Sequence, residues 1–523
     1  MIDAPLASGA MELGPGAPTP PIAVQGGTAT ATARAGAGVA VSDALLASLR
    51  GVCAEVSDDP AVTGEASRDW WPLAMSWATR GQMAARAAVV ARPADAAQVS
   101  DVLALCHRER IPVTAAGGRS GVCGASVPLH GGVVLDMGAM AGITSVDDVS
   151  LTVDVLAGTF GDHFEDELRR SHGLTCGHWP QSMSLSTVGG WVACRGAGQL
   201  STRYGKIEDI VVGLDVVLAD GSTLRTGGHP ATATGPDLTQ VFVGSEGTLG
   251  VVTSARLAVH PAPPYERRGV WSVPSFGAGL DLCRRILRRG ATPAVLRLYD
   301  GVESDRNYGA GTDRNVVIVI DEGDQHLVDA VFAVVEDEVA GAGGVAGERL
   351  DDEIAARWMA KRNDVAALER LITDGLVVDT MEVSGPWSSL PRTYDAAIAA
   401  IGAVPGTLAV SAHCSHSYLD GACLYFTFAG KPVERDEADR PTADAVDAYY
   451  RAVWDAGTRA VLASGGSLSH HHGVGINRSR YMSEALGHGM EVLGALKSAL
   501  DPAGILNPGK LGLDSPFAPV ELP

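Results

Sequence analysis

The stretch Thr114 to Ala125, TAAGGRSGVCGA, follows a short apolar run from Ile111 to Val113. Its glycines permit positive φ angles and close backbone approach. Successive unobstructed N–H groups in such a loop can bind an anion, and a diphosphate is a natural ligand. The spacing matches neither GxGxxG nor a Walker motif. On this stretch alone, an ordinary glycine-rich turn remains an equally good interpretation.

Short strands and helices alternate around this loop. Apolar runs at 88–90, 111–114, 132–136 and 151–155 predict strands, and a helix is predicted from Pro93 to Cys106. A second glycine-rich turn, Gly244 to Gly250, opens a strand that ends near Val259. Prolines at 261, 263 and 264 then mark a boundary. The pattern predicts an α+β fold in layers.

The chain divides into five predicted segments. Residues 1–40 are rich in Ala, Gly, Thr and Pro with almost no large apolar side chains, so we expect them to be disordered. The remaining segments are a helical stretch at 41–84, a principal domain at 85–264, a smaller α+β domain at 265–445, and a C-terminal segment at 446–523.

Composition narrows the class of protein. The chain has 523 residues and a formal net charge of −21, which argues against a nucleic-acid-binding surface. Its eight cysteines form no CxxC pair and fit a reducing compartment. No apolar run reaches the roughly 18 residues of a membrane span, and the N-terminus lacks a secretory pattern. We expect a cytoplasmic protein with a small-molecule substrate, either monomeric or a homodimer.

Several longer motifs carry a family resemblance. In order, they are GGRSG at 117–121, STVGGW at 186–191, TRYGKIED at 202–209, GSEGTLGVVT at 244–253 and ILNPGK at 505–510. Together they resemble the vanillyl-alcohol-oxidase, or PCMH-type, family of FAD-binding flavoenzymes. The segments 177–209 and 465–475 are most similar to alkylglycerone-phosphate synthase and its bacterial relatives. The resemblance covers residues 85 to about 511.

The resemblance implies a two-subdomain PCMH-type FAD-binding domain and an α+β cap domain of the FAD-linked oxidase C-terminal type. The glycine loop would hold the diphosphate, two later stretches would line the flavin, and the turn near Glu246 would contact the adenosine half and the ring edge. The implied cofactor-binding residues are Thr114, Ala115, Ala116, Gly117, Gly118, Arg119, Ser120, Gln181, Ser182, Ser186, Thr187, Gly190, Cys194, Arg195, Gly196, Ala197, Glu246, Gly247, Thr248, Gly250, Val251 and Val252.

The glycine loop differs from the family pattern at the residue that would link the flavin covalently. Family members with a histidine-linked flavin carry the linking residue in an RSGGH sequence. The corresponding residues here are Arg119 to Cys123, with no histidine. We therefore expect FAD to be bound non-covalently.

Three adjacent histidines, His470 to His472, lie in a glycine-rich loop after a predicted helix. Histidine exchanges protons near neutral pH. Neighbouring side chains cannot all face one point, so either His470 and His472 or His471 alone would reach a single site. In the synthase family this triple lies beside flavin and substrate. A surface cluster without function is the less favoured alternative.

Tyr425 and Arg297 are further candidates on the strength of the resemblance. Tyr425 matches the family's active-site tyrosine, and a phenol can transfer a proton or hydrogen-bond a substrate oxygen. Arg297 matches an arginine that holds substrate or organises the site. A half-buried strand tyrosine and a structural salt bridge, for example from Arg297 to Asp300, are the alternatives.

His413 departs from the synthase pattern, in which we expect an arginine. A histidine at this position resembles instead the first histidine of the HxGDGNxH segment of D-2-hydroxyacid dehydrogenases. In those relatives, two histidines of that segment and the glutamate of an EHG motif bind a divalent metal. Here the EHG position reads His471-His472-Gly473, and Leu424 or Tyr425 stands at the second histidine position. A zinc site at His413 and His471 remains an alternative, but we expect no metal.

Two reactions fit these motifs. The first is an FAD-dependent oxidation of a small, hydroxy-bearing substrate such as a 2-hydroxy acid, with hydride transfer to flavin N5. The second is the exchange of an acyl group for a fatty alcohol on acyl-dihydroxyacetone phosphate, without net redox change. A flavin-binding protein without catalysis is disfavoured by the retained Arg297, Tyr425 and histidine triple.

Overall fold

The computed structural model describes residues 20–341, 347–363, 366–435 and 441–522. A four-stranded and a five-stranded sheet lie in the first half of the chain, and a seven-stranded sheet lies in the second half. Helices pack on all three sheets. The predicted α+β class is confirmed.

Residues 20–40 adopt defined structure, whereas the sequence predicts disorder for them. Ile22 and Val24 are buried against the helix that contains Met75. Two apolar side chains are enough to hold this segment in place, because later residues of the chain already form the groove that they fill. Residues 1–19 lie outside the described residues. The elements here are a 3-10 helix Thr28–Thr30, β1 Thr32–Ala33, α1 Asp43–Val52, β2 Glu55–Ser57, α2 Pro60–Ala66, α3 Pro72–Ala78 and β3 Gln82–Met83.

The first lobe of the N-terminal half is a mainly parallel sheet. Its elements are β4 Val89–Arg92, α4 Ala96–Glu109, β5 Val113–Ala116 and β6 Val133–Asp136, with a 3-10 helix Met137–Ala139. The strand order is β2-β4-β6-β5, and only β2 runs antiparallel. The apolar faces of α1 and α4 cover this sheet. The glycine loop therefore starts at the carboxyl end of β5, an edge strand.

The second lobe is an antiparallel sheet of strand order β11-β10-β12-β8-β7. Its elements are β7 Ile143–Asp147, β8 Thr152–Leu156, α5 Gly161–Glu167, a π-helix Leu168–His172, β9 Leu174–Thr175, α6 Val188–Cys194, α7 Ser201–Tyr204, α8 Ile207–Ile210, β10 Val211–Val217, β11 Thr223–Gly227, α9 Leu238–Phe242, β12 Val251–Ala258 and β13 His260–Pro261. Thr187 caps α6 by accepting a hydrogen bond from the Gly190 N–H at 3.3 Å.

The cap half holds a sheet of strand order β17-β14-β16-β15-β19-β20-β18, in which the described pairs are antiparallel. Its elements are β14 Tyr265–Val273, α10 Phe276–Arg288, β15 Val295–Tyr299, α11 Gly301–Tyr308, β16 Asn315–Gly323, α12 Gln325–Val339, β17 Glu348–Arg349, α13 Glu353–Lys361, α14 Ala366–Thr373, β18 Val377–Pro386, α15 Leu390–Gly402, β19 Thr407–Ser417 and β20 Gly421–Gly430.

Strand alternation gives this sheet two different faces. In β15, Leu296 and Leu298 pack with α10, α12 and α15, whereas Arg297 and Tyr299 point the opposite way. Side chains alternate in the same way along β20, and this alternation directs Tyr425 toward that opposite face. One face of the cap sheet is thus a helix-covered core. The other face packs against the N-terminal half through apolar residues such as Val295 and Ile318, and it also carries Arg297, Tyr299 and Tyr425.

The C-terminal segment returns to the first lobe. It comprises α16 Ala443–Ala463, a 3-10 helix Ser479–Tyr481, α17 Met482–Leu486 and α18 Gly489–Leu500. After α18, Val113 of β5 donates its N–H to Ile505 and accepts from the N–H of Asn507. Among the described residues, no helix combines the length and apolar character needed to cross a membrane.

Candidate active site

The glycine loop after β5 packs directly on the stretch that precedes α6. A Cβ on Gly118 would lie 2.0 Å from the Leu185 carbonyl oxygen, and one on Gly117 would lie 2.2 Å from Thr187 Oγ1. Any other residue would push the two stretches apart. Arg119 adopts a positive φ of 54° and lies 3.4 Å from Asp136, which fixes the loop on the end of β6. The glycines therefore serve close packing that builds a cradle from backbone.

This cradle opens into a cavity of about 840 Å³ between the two FAD-binding lobes and the cap sheet. All but three of the predicted cofactor-binding residues line it. Thr114 is buried within β5, and Thr248 donates its hydroxyl to the Ser245 carbonyl. Arg195 turns outward and pairs with Glu208 at 3.2 Å. A long cavity lined by glycine backbone and small side chains suits FAD.

Glu246 lines the cavity and also makes contacts that the resemblance did not imply. Its buried carboxylate accepts hydrogen bonds from the N–H groups of Val474 at 2.6 Å and Gly475 at 2.9 Å. Its carbonyl accepts from the Asn507 side chain at 2.6 Å. Glu246 thereby ties the loop after the histidine triple and the C-terminal segment to the cofactor cradle.

Cys123, which stands where a flavin-linking histidine could be, does not line the cavity. It is 1% exposed, and its carbonyl accepts from the N–H groups of Ile476 and Asn477. A Cβ on Gly475 would lie 2.9 Å from Cys123 Cβ. The cysteine therefore packs against the C-terminal segment rather than toward a flavin.

The cap sheet brings three of the predicted catalytic residues together. His413 of β19 pairs with Tyr425 of β20 across the sheet, and their rings stack with centroids 4.8 Å apart. His413 also pairs with Tyr299, to which Arg297 donates at 3.0 Å. A cross-strand row of this kind places imidazole, phenol and guanidinium on one cavity wall.

His413 has a carboxylate partner, Glu303 of α11. The distance from His413 Nδ1 to Glu303 Oε2 is 2.8 Å, and the Glu303 side chain is 2% exposed. Burial lowers the pKa of His413, and the Glu303 charge opposes that shift. A neutral imidazole held through Nδ1 leaves Nε2 as a proton acceptor. No sequence motif points to Glu303, which lies far from His413 along the chain.

Arg297 is 7% exposed and makes no salt bridge to any described residue. The alternative salt bridge to Asp300 is absent, because Asp300 caps α11 and accepts the Ala412 N–H instead. The guanidinium lies 5.3 Å from the Trp358 ring centroid. A buried arginine that lines a cavity and makes no salt bridge with a described carboxylate favours an anionic ligand.

The histidine triple is held by Glu382 of β18, which sequence reasoning missed. Glu382 Oε1 accepts the backbone N–H groups of all three residues from His470 to His472, at 3.2, 3.0 and 2.8 Å. Its other oxygen contacts Arg478 and lies 3.1 Å from His472 Nδ1. Glu382 and Arg478 are both fully buried. The loop therefore wraps around a carboxylate, which turns His471 and His472 toward the cavity and His470 behind it.

A fourth histidine, His416, joins the triple. Alternation along β19 would place it on the helix-covered face, but a bulge between Cys414 and His416 turns it to the cavity. Ring nitrogens of His416, His470 and His471 lie within 4.8 Å of one another, close enough to ligate one cation. His413, which the sequence paired with His471 as an alternative, pairs with Glu303 instead. The bulge is the feature that sequence alternation could not reveal.

Burial keeps this histidine group neutral. It lowers the pKa of His470 to about 3, and it also lowers the pKa values of His416 and His471. The nearby Lys206 ammonium, which donates to the His470 carbonyl at 2.8 Å, acts in the same direction on His470. Neutral imidazoles can both donate and accept hydrogen bonds.

The cavity walls differ in polarity. Three exposed cations, Arg306, Arg357 and Lys361, line the cavity, and the Arg306 charge contributes to the lowered pKa of His413. Part of the wall is apolar, with lining residues Trp70, Pro72, Leu368, Leu371 and Val378. The site can therefore accept a substrate that carries a negative charge, and it has room for an apolar group.

Comparisons with known proteins give the family. Residues 87–227 match the FAD binding domain, and residues 262–511 match the C-terminal domain of FAD linked oxidases. The FAD-linked oxidoreductase YgcU of Escherichia coli is 30% identical over 81% of this chain and 88% of its own length. The glycolate oxidase subunit GlcD of Bacillus subtilis is 30% identical with the same coverage. Alkyldihydroxyacetonephosphate synthase of Caenorhabditis elegans is 31% identical over 71% of this chain and 66% of its own.

Solved structures agree on the fold. An alkyldihydroxyacetonephosphate synthase structure superposes with a TM-score of 0.72 at 23% identity, covering 90% of this chain and 86% of that one. Substrate-bound p-cresol methylhydroxylase gives 0.71 at 17% identity, covering 91% and 99%. With the predicted family and its cofactor confirmed, the chain belongs to the FAD-linked oxidases and is an FAD-dependent enzyme of PCMH-type fold.

Proposed function

We propose that this enzyme oxidises a small anionic substrate of the 2-hydroxy-acid type. The observation that carries the proposal is the His413–Glu303 pair, with the His413 ring stacked on Tyr425. Both line a cavity that Arg297, which makes no salt bridge to a described residue, also lines. A base for a hydroxyl proton and a cation for a carboxylate are the two groups that such a substrate requires. The names of relatives such as the glycolate oxidase subunit and a D-lactate dehydrogenase support the same substrate class.

In this mechanism each residue has one task. Arg297 binds the substrate carboxylate, and His413 accepts the hydroxyl proton at Nε2. Glu303 holds the His413 tautomer and stabilises the imidazolium that forms, while Tyr425 donates a hydrogen bond to the substrate oxygen. FAD, held without a covalent bond by the cradle around Gly117, Gly118 and Thr187, supplies the hydride acceptor.

Anaerobic reduction of the bound flavin tests this proposal. A panel of D- and L-2-hydroxy acids is mixed with the purified holoprotein, and the flavin absorbance near its visible maximum is followed. We expect bleaching by at least one acid, and no bleaching in His413→Asn protein that retains FAD. If no 2-hydroxy acid bleaches the wild-type flavin, the proposal is wrong.

A second function is favoured by the apolar part of the cavity. An apolar wall formed by residues such as Trp70, Leu368 and Leu371 suits a fatty chain, and the synthases among the relatives carry that chemistry in their name. The reaction would be the exchange of acyl for alkyl on acyl-dihydroxyacetone phosphate. Formation of alkyl-dihydroxyacetone phosphate without net bleaching would establish it in place of the oxidation.

We also propose that the protein works in the cytoplasm. All eight cysteines are free thiols and seven of them are buried, as in proteins of reducing compartments. Fractionation of cells that produce the tagged protein, with a cytoplasmic and a secreted marker, tests this location. Sedimentation of the holoprotein distinguishes a monomer from a homodimer.

A further inference from the structure

Five side chains behind the cavity form one continuous hydrogen-bonded chain. His471 Nδ1 lies 2.8 Å from His470 Nδ1, and His470 Nε2 lies 2.9 Å from the Tyr418 hydroxyl. That hydroxyl lies 3.2 Å from Ser201 Oγ, which lies 2.7 Å from His416 Nδ1. Only the two ends, His471 and His416, line the cavity, whereas the three middle members do not.

The chemistry of these groups makes the chain directional. A neutral imidazole has one N–H and one bare nitrogen, and a hydroxyl has one proton to donate. If His471 donates from Nδ1, then His470 must donate from Nε2 to Tyr418, and each later member must donate onward. The chain thus has two complete arrangements. In one, His471 presents a bare Nε2 to the cavity and His416 presents an N–H; in the other, these roles are reversed.

We propose that this chain is a proton relay between two points of the cavity. A proton binds at His471 Nε2, and the Nδ1 proton of His471 moves to His470. The Nε2 proton of His470 then moves to Tyr418, the hydroxyl proton of Tyr418 to Ser201, and that of Ser201 to His416 Nδ1. His416 releases its Nε2 proton, so one proton enters, one leaves, and no charge remains.

The relay rests on the proposed function, because both reactions considered there remove a proton from a hydroxyl group. The neutral state of its histidines, enforced by burial and by Lys206, is the state that such transfer requires. The bulge at His416 is needed to close the chain.

Two substitutions interrupt the relay at different links. Tyr418→Phe removes both of its hydroxyl contacts, and Ser201→Ala removes the contacts of Ser201 with Tyr418 and His416. Because the substrate proton must leave the site in every catalytic cycle, we expect each substitution to slow turnover about tenfold or more. Because the links are in series, the double variant should be no slower than the slower single variant. Multiplied losses would mean independent packing effects and would overturn the relay.

Thr202→Ala is the matched control. Thr202 lies next to Ser201 on α7, and its Oγ1 accepts a hydrogen bond from the Ser417 N–H at 3.3 Å, outside the chain. We expect its rate to stay within about twofold of wild type. Equal slowing of the Thr202 and Ser201 variants would assign the loss to α7 packing and contradict the relay.

A readout without turnover separates this inference from the proposed reaction. In protein with 15N-labelled histidine, Tyr418→Phe should shift the ring nitrogen signals of His416 and His471 as well as those of His470, since the tautomers are coupled. A shift confined to His470 would overturn the relay even if the oxidation is confirmed. Stoichiometric zinc binding that displaces these signals and raises turnover would instead identify a metal site at the three histidines.

Discussion

His413 Nδ1 lies 2.8 Å from the carboxylate of Glu303, a side chain that is 2% exposed. The pair joins β19 to α11, the helix that follows β15 and therefore Arg297. One carboxylate thus links the proposed base to the proposed anion-binding residue. A histidine held through one nitrogen has a defined tautomer at the other, as general-base catalysis requires.

Glu303→Gln should move the acidic limb of the pH–rate profile to lower pH. Burial lowers the pKa of His413 and the Glu303 charge raises it, so loss of that charge lowers the pKa further. The base works in its neutral form, and activity therefore rises as pH rises through this pKa. We also expect the plateau rate to fall about tenfold, because the imidazolium loses its counter-charge. Stopped-flow flavin reduction from pH 4.5 to 8 measures both effects.

If the acidic limb of the pH–rate profile stays in place or moves to higher pH in the Glu303 variant, the titrating group is not His413. Reduced FAD content would complicate the comparison, so the flavin absorbance of each preparation is matched first. Arg314→Gln, which removes an exposed salt bridge to Glu348 far from the cavity, serves as the control for loss of a charge.

Tyr425→Phe should leave FAD bound and reduce turnover. Without substrate, the Tyr425 hydroxyl donates to Thr380 Oγ1 at 3.0 Å, and we expect it to turn its proton to the substrate oxygen when substrate binds. Burial raises the pKa of the phenol. The phenol therefore stays protonated and acts as a hydrogen-bond donor rather than as a base. We expect a loss of about 10- to 100-fold in the rate of flavin reduction. Thr380→Val, which frees the same hydroxyl, should cost less, and equal turnover of wild type and the Tyr425 variant would remove this residue from the mechanism.

Much of the site could be predicted because its parts are local in sequence. The glycine loop and the turn at Glu246 each carry their own motif, and both line one cavity. The ILNPGK segment has its own motif too, and its Asn507 side chain donates to the carbonyls of Ala125 and Glu246 behind that cavity. Strand alternation also explains why Arg297 and Tyr425 face that cavity. These features depend on a few neighbouring residues and on the period of two in a strand.

The groups that the sequence did not reveal all act across long separations. Glu303 meets His413, and Glu382 meets the histidine triple, only after the cap sheet has formed. His416 reaches the cavity through a bulge that breaks the strand period. The order of residues 20–40 likewise depends on a groove built by later residues. Tertiary contact, rather than local pattern, decides each of these.

Gly118→Ala should weaken FAD binding at least about tenfold, which corresponds to about 1.4 kcal/mol. The new Cβ would lie 2.0 Å from the Leu185 carbonyl oxygen, a rigid backbone atom, so the cradle would have to open. Flavin content after purification and titration of apoprotein with FAD measure the loss. Gly277→Ala, at a cap-helix position where no atom lies within 4 Å of the new Cβ, is the control. An unchanged affinity of the Gly118 variant would contradict the packing argument.

The flavin should separate from the protein on acid precipitation. Cys123 packs against the C-terminal segment and does not line the cavity, so its thiol offers no attachment point. After trichloroacetic acid treatment we expect the yellow colour in the supernatant and an unmodified protein mass. Colour in the pellet, with a mass increase equal to that of FAD, would contradict non-covalent binding and direct attention to cavity residues such as Cys194.

Glu382→Gln should destabilise the protein by about 3–5 kcal/mol, because it leaves the buried Arg478 charge unpaired. Burial raises the pKa of Glu382, but the Arg478 charge outweighs it and holds the pKa well below its usual range. The amide oxygen can still accept the N–H groups of the histidine loop, so the loop should keep its path. The double variant Glu382→Gln with Arg478→Met removes both charges and should recover part of the lost stability. Denaturant unfolding of the holoproteins measures these differences, and a double variant less stable than Glu382→Gln alone would show that Arg478 stabilises the loop through contacts other than this pair.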